Sequence, residues 1–396
     1  MFDSINIGMS GLQTFSKGLK VISNNVANLN TPGFKSSDMM FADLYYQSSG
    51  AGNSSGGGTN QTGTGVTALS SFINFKDGDV RQTGNPLDMS IDGEGFFVTR
   101  DATDGSTTYT RAGQFGFDKD GFLISRATER QVMGFAADGS LGAITLNGLR
   151  VNPPRVTSTV RLQGNLSSTA TDVTVDGVHI VDAVGVDHTV QLNFQPKAGA
   201  AGTWNVTVVD GTTRTPAGEI EFAGGQPVAG RATVTFAYTP TGAAAMNVSF
   251  DFTSQVTSFA AGTTSTLAVV SGDGVTAGAL TQVSFNPEGV LTLAYSNGQT
   301  ATGAQLALAT FESRGGLTQV GSGDFIAAQD QQPQLARAGS DLVGKVMGNQ
   351  VEVSNVDLSA EFSNLIVMQR GYQASSRIVS TANDMLQALF DMKGSR

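Results

Sequence analysis

Both ends of this 396-residue chain carry apolar residues at alternating steps of three and four. At the N-terminal end the pattern starts at Ile5, passes through one glycine at Gly8, and stops at Thr31-Pro32-Gly33. A heptad spacing sustained in this way predicts a helix that pairs with another helix along one seam. The apolar residues of the N-terminal seam are Leu12, Phe15, Leu19, Ile22, Val26 and Leu29.

The C-terminal end repeats this heptad pattern. Asn355 and Asp357 are candidate N-caps, and Asp357 and Glu361 suit the positive end of the helix dipole. We therefore predict that residues 1–34 and 356–396 pair as a coiled-coil stalk. The C-terminal seam residues seven apart are Leu358, Leu365, Tyr372, Val379 and Leu386, and the interleaved positions hold Met368, Ala382 and Leu389, with Glu361 and Ser375 in the other two.

Between these ends, the chain has the composition of a β protein with many tight turns. It holds 50 glycines and 14% charged residues, against about 25% in an average soluble domain. Asp-Gly and Asn-Gly pairs accept the positive φ that hairpin turns require, so we predict antiparallel β structure here. The Asp-Gly pairs are at 77–78, 92–93, 104–105, 120–121, 138–139, 176–177, 210–211 and 273–274, and the Asn-Gly pairs are at 147–148 and 297–298.

Three breaks in the pattern divide the chain into domains. Gly50 to Gly65 is a Gly/Ser/Thr/Asn stretch without periodicity, and prolines interrupt the pattern at Asn152-Pro153-Pro154 and Asn286-Pro287. We predict a mainly β fold with terminal α-helices, in which the coiled-coil stalk carries two nested antiparallel β domains. Beside the stalk, the predicted parts are a connector at 35–70, a first β domain at 71–150 plus 284–355, and a second β domain inserted at 151–283.

Both predicted helices carry more apolar surface than one seam can cover. Ile7 and Val21 lie off the N-terminal seam, and the residues off the C-terminal seam are Phe362, Ile366, Val367, Ile378, Met385 and Phe390. Since a helix that is apolar on several faces is buried on several faces, we expect neighbouring copies to cover them in an open helical polymer. The alternative is a monomer whose stalk packs back on its own β domains. The residues predicted to drive subunit assembly are Leu12, Phe15, Leu19, Ile22, Val26, Leu29, Leu358, Phe362, Leu365, Ile366, Tyr372, Ile378, Val379, Leu386 and Leu389.

The sequence shows no constellation typical of an enzyme or a metal site. Nothing marks convergent partners for His179 and His188, and Asp118 to Gly121 lacks the key carboxylates of a calcium loop. A net charge of −10 argues against nucleic acid, and the absence of cysteine excludes disulfides and thiolate metal sites. We therefore predict a structural protein without catalytic activity, cofactor or metal ion, with a secreted enzyme or adhesin on a β scaffold as a rival hypothesis.

The N-terminal segment has an acid at Asp3 and no basic region before a long apolar run. We therefore expect export without a cleaved secretory signal peptide. No stretch reaches the ~18 apolar residues that a membrane-spanning helix needs, so we expect no membrane insertion.

Three stretches carry a resemblance to a known family. The run from Asn24 to Lys35, Asn-Asn-Val-Ala-Asn-Leu-Asn-Thr-Pro-Gly-Phe-Lys, resembles the signature of bacterial flagellar rod and hook proteins. Ser354 to Leu358, followed by Gln369-Arg370-Gly371-Tyr372-Gln373, resembles the closing motif of the same family, and Gln82 to Phe97 resembles its first β domain. The residues that carry the N-terminal motif are Asn24, Asn25, Asn28, Thr31, Gly33, Phe34 and Lys35.

The resemblance implies an extracellular structural subunit that leaves the cell through the flagellar type III export gate. The size of the segment 151–283 favours the hook-forming members, whose flexible curved tube transmits torque from rod to filament; the alternative is a distal rod subunit with an enlarged outer domain. Implied partners are further copies of the chain, a distal rod protein, a hook cap and a hook-filament junction protein. Phe41 to Tyr45 is either a recognition segment for the export gate or a small apolar anchor.

Overall fold

The computed structural model describes residues 2–48, 61–240, 242–253 and 255–394. Of the Gly/Ser/Thr/Asn stretch Gly50 to Gly65, predicted as a flexible linker or a long loop, residues 50–60 lie outside the described residues. The chain divides into two compact units. Unit 1 comprises Met1–Asn147, Val283–Thr292 and Thr302–Arg396, and unit 2 comprises Gly148–Gln282 and Leu293–Ala301.

The described elements are two terminal helices with strands between them. The helices are α1 Phe2–Ala27 and α2 Leu358–Gly394, with a short 3₁₀ turn at Arg314–Gly316. The strands up to the end of the first segment of unit 1 are β1 Ser37–Asp43, β2 Tyr46–Ser48, β3 Gln61–Gly63, β4 Val66–Ile73, β5 Val80–Gln82, β6 Met89–Asp92, β7 Phe96–Arg100, β8 Thr107–Thr110, β9 Phe115–Phe117, β10 Leu123–Ser125, β11 Gln131–Phe135 and β12 Leu141–Ala143. The strands that follow are β13 Val151–Asn152, β14 Thr159–Asn165, β15 Val173–Val181, β16 Asp187–Pro196, β17 Thr203–Asp210, β18 Thr213–Ala223, β19 Gln226–Pro227, β20 Thr233–Tyr238, β21 Met246–Asp251, β22 Val256–Thr257, β23 Ala268–Gly272, β24 Gly278–Phe285, β25 Val290–Tyr295, β26 Thr300–Thr310, β27 Leu317–Gly321, β28 Asp324–Ala327, β29 Gln334–Arg337, β30 Lys345–Gly348 and β31 Gln350–Glu352.

The two helices start and stop close to where the sequence predicts. Asp357 caps α2, because its Oδ1 accepts hydrogen bonds from the backbone N–H groups of Ser359 at 2.8 Å and Ala360 at 3.2 Å. Asn355, the other candidate cap, instead accepts from Ser36 N at 2.8 Å. Helix α1 ends at Ala27, so Leu29 lies in a turn and its assignment to a helical seam is wrong.

Unit 1 is built on a mainly antiparallel sheet in the order β26-β11-β7-β8-β28-β27. Its core is aromatic: the ring of Phe96 packs edge to face on Phe311 and Phe325, with centroids 6.0 and 5.9 Å apart. Smaller two-stranded pairs, β1/β4, β2/β3, β6/β30 and β5/β31, belong to the same unit. Residues 35–70, expected as a connector, thus contain β1, β2, β3 and most of β4.

Unit 2 contains two five-stranded sheets whose apolar faces share one core. One sheet is β15-β16-β17-β18-β19, and the other is β20-β21-β14-β22 with β23 paired to β14. Trp204, Phe194 and Phe250 belong to the shared cluster of buried residues. The prediction of purely antiparallel structure is wrong here, since β14 pairs in parallel with β21 and β22. The long chain between β14 and β21 permits this parallel return.

Five of the ten Asp-Gly and Asn-Gly pairs lie in hairpin turns, at 104–105, 120–121, 138–139, 210–211 and 297–298. At 77–78, 92–93, 147–148, 176–177 and 273–274, no hairpin joins the described flanking strands. Asp176-Gly177 forms a bulge inside β15, because the same positive φ that suits a turn also suits a bulge.

Candidate assembly surface

Helices α1 and α2 approach each other closely along glycines. A methyl group on Gly8 would lie 2.7 Å from Val379 Cγ2, and one on Gly371 would lie 2.6 Å from the ring of Phe15. These separations are shorter than ordinary carbon contacts, so a side chain at either position would force the helices apart. The phenyl ring of Phe15 thus fixes how the two helices align.

The intrachain seam differs from the predicted heptad on α2. Gly371 faces α1, whereas Tyr372, the predicted seam residue beside it, is exposed, as are Leu358 and Leu389. The predicted seam holds on either side of this position, since Val379, seven residues after Tyr372, lies against Gly8. The remaining predicted seam residues are buried or half-buried: Leu12, Phe15, Leu19, Ile22, Val26, Leu365, Val379 and Leu386.

The chain itself covers the outer face of α1. Strands β1 and β4 lie against this helix: Thr14 Oγ1 donates to Val66 O at 3.2 Å, and the rings of Phe15 and Phe41 are 6.2 Å apart. Ile7 and Val21 are half-buried. Strands of the same chain therefore already provide part of the cover that was expected to come from sister copies, and cover of the remainder by other copies stays a prediction.

Helix α2, in contrast, keeps a wide apolar surface in solvent. Phe362, Ile366 and Phe390 are 50%, 53% and 66% exposed. They alternate around the helix with other exposed apolar side chains, so the surface is not confined to one stripe. The further exposed apolar residues of α2 are Leu358, Val367, Tyr372, Ile378, Met385, Leu389 and Met392.

The asparagine motif joins the end of α1 to β1 and α2. The Asn25 side chain is buried; its Nδ2 donates to Ser37 O at 2.8 Å and to Glu361 Oε1 at 2.7 Å, and its Oδ1 accepts from Ser37 N at 3.0 Å. Asn28 Nδ2 donates to Asn24 O at 2.9 Å, and the same carbonyl accepts the backbone N–H of Asn28 at 3.1 Å, so both groups of Asn28 hold the end of α1. The motif therefore forms the end of α1 and, through the hydrogen bond from Asn25 to Glu361, contacts α2.

A buried charge cluster lies directly after this motif. The Lys35 and Arg111 side chains are each 1% exposed, and both contact Glu352, at 2.6 Å and 3.3 Å. Asp77 lies 3.3 Å from Arg111 but is 63% exposed. Burial lowers the pKa of Lys35, while its contacts with Glu352 oppose that shift. Sequence reasoning found Lys35 as a motif residue but missed Arg111 and Glu352.

Gly33 and Phe34 complete the turn that leads into this cluster. Gly33 has φ of +69°, and a methyl group there would lie 2.4 Å from Ala112 N, so only glycine fits. Phe34 is buried. Thr31 Oγ1 donates to Asn28 Oδ1 at 3.1 Å. All seven motif residues thus lie at the junction between α1 and the β structure of unit 1.

Three sequence profiles match the parts of the chain that carry this geometry. The profile described as flagella basal body rod protein matches residues 5–35. The flagellar hook protein FlgE/F/G D1 domain matches 90–183, and the flagellar basal body rod FlgEFG protein C-terminal region matches 347–392.

Full-length relatives decide the assignment. The flagellar hook protein FlgE of Treponema pallidum is 30% identical over 465 residues, covering 99% of this chain and 100% of the relative. The chain belongs to the flagellar hook protein family. The hook protein FlgE of Escherichia coli is 30% identical over 419 residues, covering 97% of this chain and 98% of the relative. The solved hook protein FlgE2 of Helicobacter pylori shares 13% identity over 69% of this chain and all of that chain, with a TM-score of 0.46, too low to bear on the fold.

As a member of the hook protein family, the chain is a structural subunit of the flagellar hook. Its two histidines form separate pairs, His179 Nδ1 with Asp187 Oδ2 at 2.8 Å and His188 Nε2 with Asp182 Oδ2 at 2.9 Å. Across the described residues, no three acidic or histidine side chains are arranged to hold a metal ion. Of the helices that the structure describes, none combines the length and apolarity needed to cross a bilayer.

Proposed function

We propose that this hook subunit polymerises through its terminal helices into a flexible, curved tube that transmits torque from rod to filament. The exposed apolar residues of α2 carry this proposal. They belong to a helix whose other side packs on α1, so further burial needs a second molecule. In the polymer, α1 and α2 form a coiled-coil stalk at the core, and the two nested β domains lie outside it.

The apolar surface of α2 is large enough to drive such assembly. Burying one large apolar side chain contributes roughly 1.5–3 kcal/mol. Phe362, Ile366, Ile378 and Phe390 are each about half exposed or more. Even partial burial of these four side chains therefore contributes several kcal/mol per subunit, with identical contacts repeating along an open array.

The proposal also includes the route and the neighbours of the subunit. It leaves the cell through the flagellar type III export gate without a cleaved signal peptide, and it reaches the extracellular hook between a distal rod protein, a hook cap and a hook-filament junction protein. Phe41 to Tyr45 is the segment proposed to be read during export. Replacing Phe41 by Ser should reduce secretion; unchanged secretion of this variant would remove the segment from the proposal.

Polymer formation tests the central proposal. Purified full-length chain should sediment as tubes that electron microscopy shows to be curved, and Phe362→Ser with Ile366→Ser should abolish them. Val184→Ser is the control, since this apolar side chain is at least as exposed as Phe362 and Ile366 but lies in unit 2. Normal tubes from the double variant would contradict the proposal, and straight, rigid tubes would favour a rod subunit instead.

A further inference from the structure

A small cavity opens between α1, β1 and α2, beside the exposed apolar surface of α2. It has a volume of about 170 Å³ and is lined by apolar side chains that include Val21, Met39 and Met368. Its lining also includes the acidic residues Glu361 and Asp38. The cavity thus has a mixed lining of apolar and acidic side chains.

Glu361 is the unusual group in this cavity. It is only 7% exposed, and its one side-chain hydrogen bond among the described residues is the 2.7 Å contact from Asn25 Nδ2 to Oε1. Its second carboxylate oxygen accepts no hydrogen bond within the described residues and retains access to solvent. No Lys or Arg of the described chain forms an ion pair with it. A buried carboxylate without a cation is costly unless something supplies the missing charge.

The surroundings of Glu361 make this charge deficit larger. Burial raises the pKa of its carboxyl, the hydrogen bond from Asn25 opposes that shift, and the charges of Asp38 and Asp357 raise the pKa further. Asp38 belongs to β1, and Asp357 precedes α2. Asn25 is the polar group that α1 contributes, so every charged neighbour is an acid.

The terminal helices also carry cations that lack acidic partners. Lys17 and Lys20 of α1, and Arg370 and Arg377 of α2, are exposed and make no ion pair within the described residues. A Lys or Arg side chain has an aliphatic stem that can pack on the apolar part of the lining and a cationic head that suits a carboxylate. The acidic cavity and these basic side chains are complementary in charge.

We propose that in the assembled polymer this cavity receives a basic side chain from the terminal helices of a second copy, whose cationic head pairs with Glu361. The inference rests on the proposed polymerisation and adds one ion pair to it. The contact is heterologous, since the cavity and the basic side chain lie on different surfaces, and such contacts extend into open arrays.

Removal of the Glu361 charge tests this pairing. Glu361→Gln keeps the shape and can still accept from Asn25, so far-UV circular dichroism should match the unmodified chain. Its critical concentration for assembly, measured by sedimentation, should rise about tenfold because a charge-assisted contact is lost. Asp384→Asn removes the same charge from an exposed site on α2 and should leave the critical concentration within about twofold. Equal or easier assembly of Glu361→Gln would overturn the inference.

The sign of the pH dependence gives a second test. A cation beside Glu361 lowers its pKa in the polymer relative to the free chain, so the contact is fully present above the free-chain pKa and is lost as pH falls. The unmodified chain should therefore lose its advantage over Glu361→Gln as pH falls below the pKa of Glu361 in the free chain, which burial raises above its ordinary value of 4.5. Burial without a cation predicts the reverse, an advantage that grows as pH falls, and this result would also overturn the inference. Failure of the unmodified chain to assemble at all would instead contradict the proposed function.

Discussion

Replacing Glu352 by Ala removes the only buried anion from the cluster that joins the N-terminal motif to unit 1. Lys35 and Arg111 would remain, both 1% exposed, while Asp77 is too solvated to compensate for them. The backbone N–H of Gly78 would also lose its acceptor, which lies at 2.9 Å. Removing one partner from a buried ion pair costs about 3–5 kcal/mol. This is a large fraction of the roughly 5–15 kcal/mol that stabilises a typical domain.

Urea unfolding measures this cost in the unit where it arises. Both helices belong to unit 1, so circular dichroism at the helical minimum follows that unit, whereas Trp204, the one tryptophan of the chain, reports on unit 2. With an m-value of about 2 kcal/mol per molar urea, Glu352→Ala should lower the midpoint of the helical transition by about 2 M. We expect the Trp204 transition to stay where it is.

Asp77→Ala is the matched control, because Asp77 contacts the same two cations but is exposed. It should cost about 1 kcal/mol or less, since solvent screens its charge. The reasoning would be refuted if Asp77→Ala cost as much as Glu352→Ala, or if Glu352→Ala shifted the Trp204 transition and left the helical transition unchanged.

Three further changes test other contacts of unit 1. Asn25→Ala should destabilise the unit by about 2–3 kcal/mol in urea unfolding, because it removes three hydrogen bonds at a buried site. The same change at its exposed neighbour, Asn24→Ala, should cost under about 0.5 kcal/mol. Equal effects would contradict the role of Asn25 in joining the two helices. Gly371→Ala should lower the free energy of unfolding by about 1 kcal/mol net, after its gain in helix propensity. Adding Phe15→Leu to this variant should recover most of the loss, because it removes the ring that the new methyl group meets. Losses that simply add would show that the two residues do not contact each other. Burial raises the pKa of the Asp324 carboxyl above its ordinary value of 3.8. Between these two pKa values the folded state binds more protons than the unfolded state, so the free energy of unfolding falls as pH rises through this interval. Asp324→Asn should remove this slope and stabilise the unit more at pH 7 than at pH 4, and a difference of opposite sign would be evidence against it.

The sequence predicts local features of this fold well. The apolar period identifies both helices, and Asp357 marks the start of α2, because capping depends on residues close together in the chain. Several hairpins were found for the same reason. The N-terminal motif was identified by its resemblance to the family signature, and the contacts of its residues became known only from the structure.

Features that depend on tertiary contacts could not be read in this way. Gly371 carries no apolar signal, so the heptad favoured Tyr372. Lys35 and Glu352 are 317 residues apart, and an isolated glutamate in a sequence looks like a surface charge. The cover that β1 and β4 provide for α1 was missed because their strands were assigned to a connector. The parallel pairing of β14 with β21 likewise has no local signature.

The central claim is that sister copies cover the apolar surface of α2, and hydroxyl-radical footprinting of single chains against assembled tubes tests it most directly. We predict that Phe362, Ile366 and Phe390 become strongly protected on assembly, while the exposed Phe259 of unit 2 changes less. Tubes in which these three α2 side chains react as fast as in the single chain would contradict the account.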